Sequence, residues 1–263
     1  MNKNTKRPRR FIMQVYNLVD KIKFHLKIKP KRELLIISGA DSSHFKSLLQ
    51  FIDSVLKYEG TSPLIVYDLG LKEEESTFLK NNFPKVIVRK FEYDRYPSYF
   101  NVKIDAGKAA WKPVIMHDVL MEFNKSIVWF DAGCIITQPL YRIRRVIHKH
   151  GYYSPVAKDT INEWIHPETR SYLIKKCNID RNIFDLRILA STVVGINPCN
   201  HKTLKLMENW KACAMTKECT APEGSSKKNN RYQTILAAHA YNLGLGYDIP
   251  QRRLGFLNHR DID

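Results

Sequence analysis

The stretch SIVWFDAGCIITQPL, residues 126–140, holds the most suggestive chemistry in the chain. Four apolar or aromatic residues, Ile127 to Phe130, run into an acid, Asp131, and then into two residues with almost no side chain, Ala132 and Gly133. A carboxylate at the end of a buried run, with room cleared beside it, either caps a turn or faces a ligand. Two earlier apolar runs end in a similar way: ELLIISGA closes on Ser38 and Gly39, and SPLIVYDLG closes on Asp68. If these runs are parallel strands, their tips share one edge of a sheet, where ligands of open α/β sheets collect. No GxGxxG follows the first run and no GxxxxGK[ST] occurs anywhere, which argues against a typical dinucleotide-binding domain and a P-loop NTPase.

The elements that must position these tips can be read from periodicity. Residues 41–60 carry Phe45, Leu48, Leu49, Ile52 and Leu56 at helical spacing and stop at Gly60. KEEESTFLKNN reads as a short helix with acids in its first turn, where the helix dipole favours them. KVIVRKF reads as a third strand, so the front half is βαβαβ and implies a parallel sheet covered by helices. After an aromatic, Pro-broken loop from Glu92 to Phe100, a helix is expected from about Asp105 to Phe123, with Pro113 suggesting a true start near Trp111. Further on, PLYRIRRVIHKHG is expected to be helical, YYSPVA a strand, INEWIHPETRSYLIKKCNID a helical insert, and RILASTVVGINP one strand over 188–197. KTLKLMENWKACAM and RYQTILAAHAYNLG read as helices, TKECTAPEGSSKKNN as a polar loop, and the tail as irregular.

The charge is +17, from 43 Lys and Arg against 26 Asp and Glu, and such a field attracts an anion: nucleic acid, lipid head groups or a phosphorylated substrate. Much of the excess lies at the front, where residues 9–28 place Phe11, Val15, Leu18, Val19, Ile22 and Leu26 on one helical stripe. That pattern suits a basic helix lying on an anionic membrane surface, and equally a helix packed on the back of the domain. No apolar run approaches the length of a transmembrane helix, and the basic N-terminus lacks the continuous apolar region of a secretory signal. The five cysteines form no CxxC pair, so a zinc ribbon or disulfide framework is not expected; a reducing compartment fits best, with a Cys213–Cys219 bridge left open.

The order YDLGL, YPSYF, AWKP and VWFDAG resembles that of a GT-A-like group of nucleotide-diphospho-sugar glycosyltransferases, most closely over residues 33–140 and loosely at 188–197 and 231–243. The resemblance implies an α/β, Rossmann-like fold in one domain, with a mostly parallel central sheet flanked by helices. Residues 31–140 would bind the nucleotide-sugar donor, residues 141–263 the acceptor, and residues 1–30 would form the possible membrane-surface anchor. Such enzymes usually hold Mn²⁺ or Mg²⁺ against the diphosphate with an acidic DxD motif, through hard oxygen ligands. Asp131 would be the first Asp of that motif, and Gly133 stands where the second belongs. The resemblance offers His259, in GFLNHRD, as a further metal ligand; otherwise Lys108 and Lys112, four apart on one helix face, would carry part of the charge.

The remaining implied donor contacts are Ser38, Gly39, Asp68, Trp111, Ala132 and Gly133, with Arg231 and Gln233 matching a helix-start pattern whose Asp is missing here. Each has a bland reading: a cap for Asp68 and Asp131, packing for Trp111, a solvated face for the lysines, a surface tail for His259. On the acceptor side KDTINEWIHPE offers Asp159, Glu163, Trp164 and His166; an indole stacks on a sugar, and an inverting transferase needs a carboxylate base, for which Glu163 and Asp185 are candidates. The expected partners are a nucleotide-sugar and a glycan or lipid-linked acceptor, with a cytoplasmic protein peripheral on the membrane. The alternatives are a basic nucleic-acid-binding protein, which explains the charge but shows no RNP, KH or zinc-finger signature, and a GT-A-like domain that binds without catalysis.

Overall fold

The computed structural model describes residues 19–20, 22–23, 26, 32–102, 109–226, 232–247, 249 and 254–263. In chain order the elements are β1 (Leu35–Ala40), α1 (Phe45–Glu59), β2 (Leu64–Asp68), α2 (Glu73–Asn82), β3 (Val86–Lys90), α3 (Trp111–Phe123), β4 (Ile127–Phe130), β5 (Ile135–Ile136) and α4 (Tyr141–His150). There follow β6 (Tyr152–Tyr153), β7 (Val156–Thr160), α5 (Pro167–Cys177), β8 (Arg187–Leu189), β9 (Val193–Ile196), α6 (His201–Ala214), α7 (Lys217–Thr220), α8 (Gln233–Asn242) and β10 (Phe256–Leu257).

The central sheet has six strands in the order β3-β2-β1-β4-β9-β6. The first four run parallel; β9 lies antiparallel to β4, and β6 antiparallel to β9. Every residue of β1, β2 and β4 is buried, as in a sheet covered on both faces. Side chains alternate accordingly: Leu35, Ile37, Ile65 and Trp129 join the apolar cluster with α3, α6 and α8, while Ile36, Val66, Val128 and Phe130 join the cluster with α1 and α4. The parallel strands therefore all end at one edge, with Ala40, Asp68 and Asp131 at their tips.

Four sequence expectations are corrected. The run RILASTVVGINP is two strands, because β8 leaves the main sheet to pair antiparallel with β7, and only β9 pairs with β4. The helical insert begins at Pro167, after a 3₁₀ turn at Asn162–Trp164; Pro at the first helical position fixes that start. The polar loop after α6 contains α7, which brings Cys219 to Cys213 in a disulfide. The tail contains β10, which pairs antiparallel with β5 immediately downstream of Asp131. Helix α3 starts at Trp111, with Pro113 in its first turn, where a missing N–H forfeits no helical bond.

On the back of the domain α1 and α4 are joined by an ion pair taken out of water. Arg144 donates to both oxygens of Glu59 at 2.9 and 2.5 Å, and the two side chains are 4% and 2% exposed. Glu59 also accepts from the Leu140 amide at 2.6 Å, so its charge is fully partnered. Most of the amphipathic stretch 9–28 lies outside the described residues. Of it, Asp20 accepts from Arg142 at 3.3 Å and from Arg145 at 3.2 Å on α4, whereas Val19, Ile22 and Leu26 are exposed. Among the described residues no helix is long and apolar enough to cross a membrane.

Candidate functional site

A cleft of about 470 Å³ opens at the tips of β1 and β4. Asp131 lies one residue beyond β4, its amide bonded to the Thr192 carbonyl at 2.9 Å, and its side chain is 34% exposed on the cleft wall. Lys112, in the first turn of α3, is 1% exposed. Its ammonium donates to Asp131 Oδ1 at 2.6 Å, to the Tyr232 hydroxyl at 3.0 Å and to the Ser191 carbonyl at 3.2 Å. Aromatic faces close around it, with the Trp129 and Tyr232 rings each 5.1 Å away and the Trp111 ring at 5.6 Å. Burial alone would push the Lys112 pKa down; the Asp131 carboxylate overcomes that and holds the amine above the ordinary lysine value. Trp129 Nε1 donates to the same Asp131 oxygen at 2.7 Å, so that oxygen is occupied twice over.

Gly39, Trp111, Ala132 and Gly133 border this cleft with Asp131 and Lys112. Ser38 does not; it is fully buried in β1, and its hydroxyl has no partner among the described residues. Asp68 caps the turn beyond β2, accepting from the amides of Gly70 and Leu71 at 2.9 and 2.7 Å, and borders a neighbouring depression instead. Gln233 begins α8 without bordering the cleft, whereas its neighbour Tyr232 reaches Lys112. Lys108 and Arg231 lie outside the described residues.

The acceptor-side acids are engaged elsewhere. Glu163 is fully exposed and closes its own turn by accepting from the amide and hydroxyl of Thr160 at 2.5 and 2.8 Å, which holds its carboxyl below the usual glutamate value. Asp185 accepts from the Asn162 amide group at 2.9 Å. Neither borders the cleft. His166 caps α5, and Trp164 packs partly buried on the core.

The tail supplies a wall of which the sequence reading named only His259. Beyond β10, Asn258, His259 and Asp261 border the cleft. The Arg260 amide donates to the Gly133 carbonyl at 2.8 Å, and a Cβ built on Gly133 would stand 2.6 Å from the Asp261 carboxyl carbon. His259 and Ala109, which both border the cleft, have positive φ, 54° and 44°, an uncommon state for residues with a side chain. A hard divalent cation suits donors that border the cleft around Gly133: the carboxylates of Asp131 and Asp261, the latter already seated in the space at Gly133, and the imidazole of His259. The donors border an open cleft and are not closed into a shell. Among the described residues the only three donor atoms within 4.8 Å of one another belong to Cys177, Cys213 and His239, where the Cys213 sulfur is committed to its disulfide.

The family described as "Protein of unknown function (DUF1647)" matches residues 12–117, less than half of the chain and short of Asp131. No curated protein sequence matches the chain. The solved core-mannan synthase A of Aspergillus fumigatus, in its Mn/GDP form, superposes with a TM-score of 0.50 at 8% identity, covering 81% of this chain and 70% of that one. The chain has a GT-A-like fold. Mouse xyloside xylosyltransferase 1 gives a TM-score of 0.45 at 11% identity, covering 80% of this chain and 81% of that one. The WbbM bifunctional glycosyltransferase gives 0.47 at 10% identity over 76% of this chain, which spans 39% of the WbbM chain. In the GT-A-like frame the cleft lies where ligands of open parallel sheets bind, beyond the strands' carboxyl ends.

Proposed function

We propose that the protein is a glycosyltransferase that moves a sugar from a nucleotide-diphosphate donor onto a glycan or lipid-linked acceptor. The observation that carries this reading is Asp131, opening into the strand-end cleft beside a buried, fully partnered Lys112. Gly39 would let the nucleoside approach the backbone of β1, since no side chain stands there. Trp111, on the cleft wall, would cover the base or sugar. Asp131 and His259 would hold Mn²⁺ or Mg²⁺, which supplies a positive centre for the leaving diphosphate. The Mn/GDP form of the Aspergillus synthase, which shares the fold, supports that choice. Lys112 would fix the Asp131 carboxylate and add its own charge at the leaving group. Glu163 and Asp185 are given no part in this chemistry, because they do not border the cleft.

Melting temperature and donor hydrolysis with UDP-, GDP- and CMP-sugars test the reading. With Mn²⁺ present, UDP or GDP is expected to raise the melting temperature, and a ligand at about 100 times its Kd adds roughly 2.7 kcal/mol. Asp131→Asn should remove hydrolysis; it also takes the counter-charge from the buried Lys112, so the melting temperature of the free protein is expected to fall while its circular dichroism spectrum stays that of the wild type, and undiminished hydrolysis in this folded variant would sink the assignment. The second reading, a domain that binds without turnover, is favoured by the double occupation of Asp131 Oδ1 by Lys112 and Trp129. It predicts nucleotide stabilisation with no hydrolysis from any donor.

Nucleic acid is a poor occupant of this cleft, whose described wall carries three carboxylates, Asp41, Asp131 and Asp261, against the single ammonium of Lys112. The basic front of the chain is read as resting on an anionic membrane, supported by the exposed Val19, Ile22 and Leu26. The Cys213–Cys219 bridge weighs against a reducing, cytoplasmic location, because such bonds persist in oxidising compartments.

A further inference from the structure

We propose that Asp261, from the C-terminal tail, supplies to a bound divalent cation the second carboxylate that is absent at position 133. The inference rests on the transferase reading and deepens it. Gly133 is not in the left-handed backbone region, so its conformation would accept a side chain; only space forbids one. That space is filled by the Asp261 carboxyl group, whose carbon stands 2.6 Å from where a Cβ would be. An acid grown from position 133 and the acid folded in from position 261 would thus reach the same part of the cleft.

The tail is pinned on both sides of this contact. Upstream, β10 pairs with β5, and the Thr137 amide donates to the Gly255 carbonyl at 2.9 Å. Downstream, Asp263 accepts from the amides of Lys46 and Ser47 at 2.9 and 3.1 Å, in the first turn of α1, where the helix dipole favours an anion. The Ile262 amide donates to the Ser47 hydroxyl at 2.9 Å, and Gln50 donates to the Arg260 carbonyl at 3.2 Å. Asp261 is therefore delivered to Gly133 by contacts that do not involve its own side chain.

Charge is the independent argument for an ion. Although the chain as a whole carries +17, the described cleft wall sets three carboxylates against one ammonium. A cation that enters with a diphosphate offsets the repulsion from those carboxylates. Asp131 alone is a thin site, since Lys112 and Trp129 take one of its two oxygens. A second carboxylate provides the oxygen count that a hard cation needs to stay bound beside diphosphate oxygens.

The test measures Mn²⁺ binding to the full chain from the EPR signal of free Mn²⁺, with Mn²⁺ alone and with added UDP or GDP. The wild type should bind one ion, more tightly with one of the nucleotides, and Asp261→Asn should weaken that binding at least about tenfold at an unchanged melting temperature. The double variant Gly133→Asp with Asp261→Gly, which moves the carboxylate back onto β4's tip and vacates the space for it, should recover affinity to within about threefold of wild type. It also keeps the test decisive if Asp261→Asn folds poorly. Affinity within twofold of wild type for Asp261→Asn, or a double variant as weak as Asp261→Asn, overturns the inference and leaves the transferase reading standing. If Asp131→Asn also leaves Mn²⁺ affinity intact, or if the wild type binds no Mn²⁺ with either nucleotide, the reading beneath it falls as well.

Discussion

Lys112 and Asp131 are the pair on which the site turns, and their environments differ sharply. The lysine is sealed among three aromatic rings, while the aspartate has one face in the cleft. Removing the lysine leaves the carboxylate partly solvated and the Tyr232 hydroxyl and Ser191 carbonyl without their donor. Lys112→Ala is therefore expected to cost about 2 kcal/mol in a urea melt, in the range for orphaned buried polar groups. Turnover should fall at least about 100-fold, as when a positioned charge at a leaving group is lost. A variant with full turnover would show that neither the ammonium's charge nor its hold on Asp131 matters to the reaction. At this scale the sequence was informative where a motif is local: the acid after IVWF and the lysine after AAW stand within one helix and strand of each other. It was silent on Tyr232 and Asp261, because nothing in a linear pattern marks which distant side chain will fill the space left by a glycine.

At the scale of elements, the parallel strands and their crossover helices were legible because each is a buried apolar run or a clear helical stripe, bounded by Gly or by acids. RILASTVVGINP was misread for the same reason. It holds two short apolar stretches around a Ser-Thr step, and nothing in that pattern says that Ala190, Ser191 and Thr192 turn the chain from one sheet to another. The β5–β10 ladder escaped notice because two-residue strands carry no periodicity. The ion pair between α1 and α4 is a further tertiary feature. Glu59→Ala would leave Arg144 buried without a counter-charge, still donating to the Arg32 carbonyl and the Ser62 hydroxyl, and is expected to cost about 3–5 kcal/mol in chemical denaturation. A loss under 1 kcal/mol would mean that water or another acid reaches Arg144.

For the whole molecule the net charge is +17, yet the described residues that border the cleft carry more carboxylates than ammonium groups. Stability should also depend on acid through His239, which sits on α8 with its Nε2 3.6 Å from the Cys213 sulfur and with Cys177 close by. Burial pushes its pKa down from 6.5 to about 4, so the folded protein holds this imidazole neutral. Between those values the unfolded chain binds a proton that the folded one refuses. The stability contributed is complete above pH 6.5 and is lost as pH falls through that window, by about 3 kcal/mol in all at 1.36 kcal/mol per unit. Urea midpoints measured at pH 7 and pH 4.5 should show this loss in the wild type and a smaller one in His239→Leu; equal losses would place the acid sensitivity elsewhere.

The sequence by itself determined the α/β class, the parallel front half and the acid at β4's tip, because burial periodicity and strand-end polarity are properties of neighbours along the chain. Only the tertiary structure decided that Lys112 is buried against that acid, that Glu163 and Asp185 border no cleft, and that the tail returns to fill the space at Gly133. Those outcomes depend on which elements pack together, and packing joins residues that no local pattern connects.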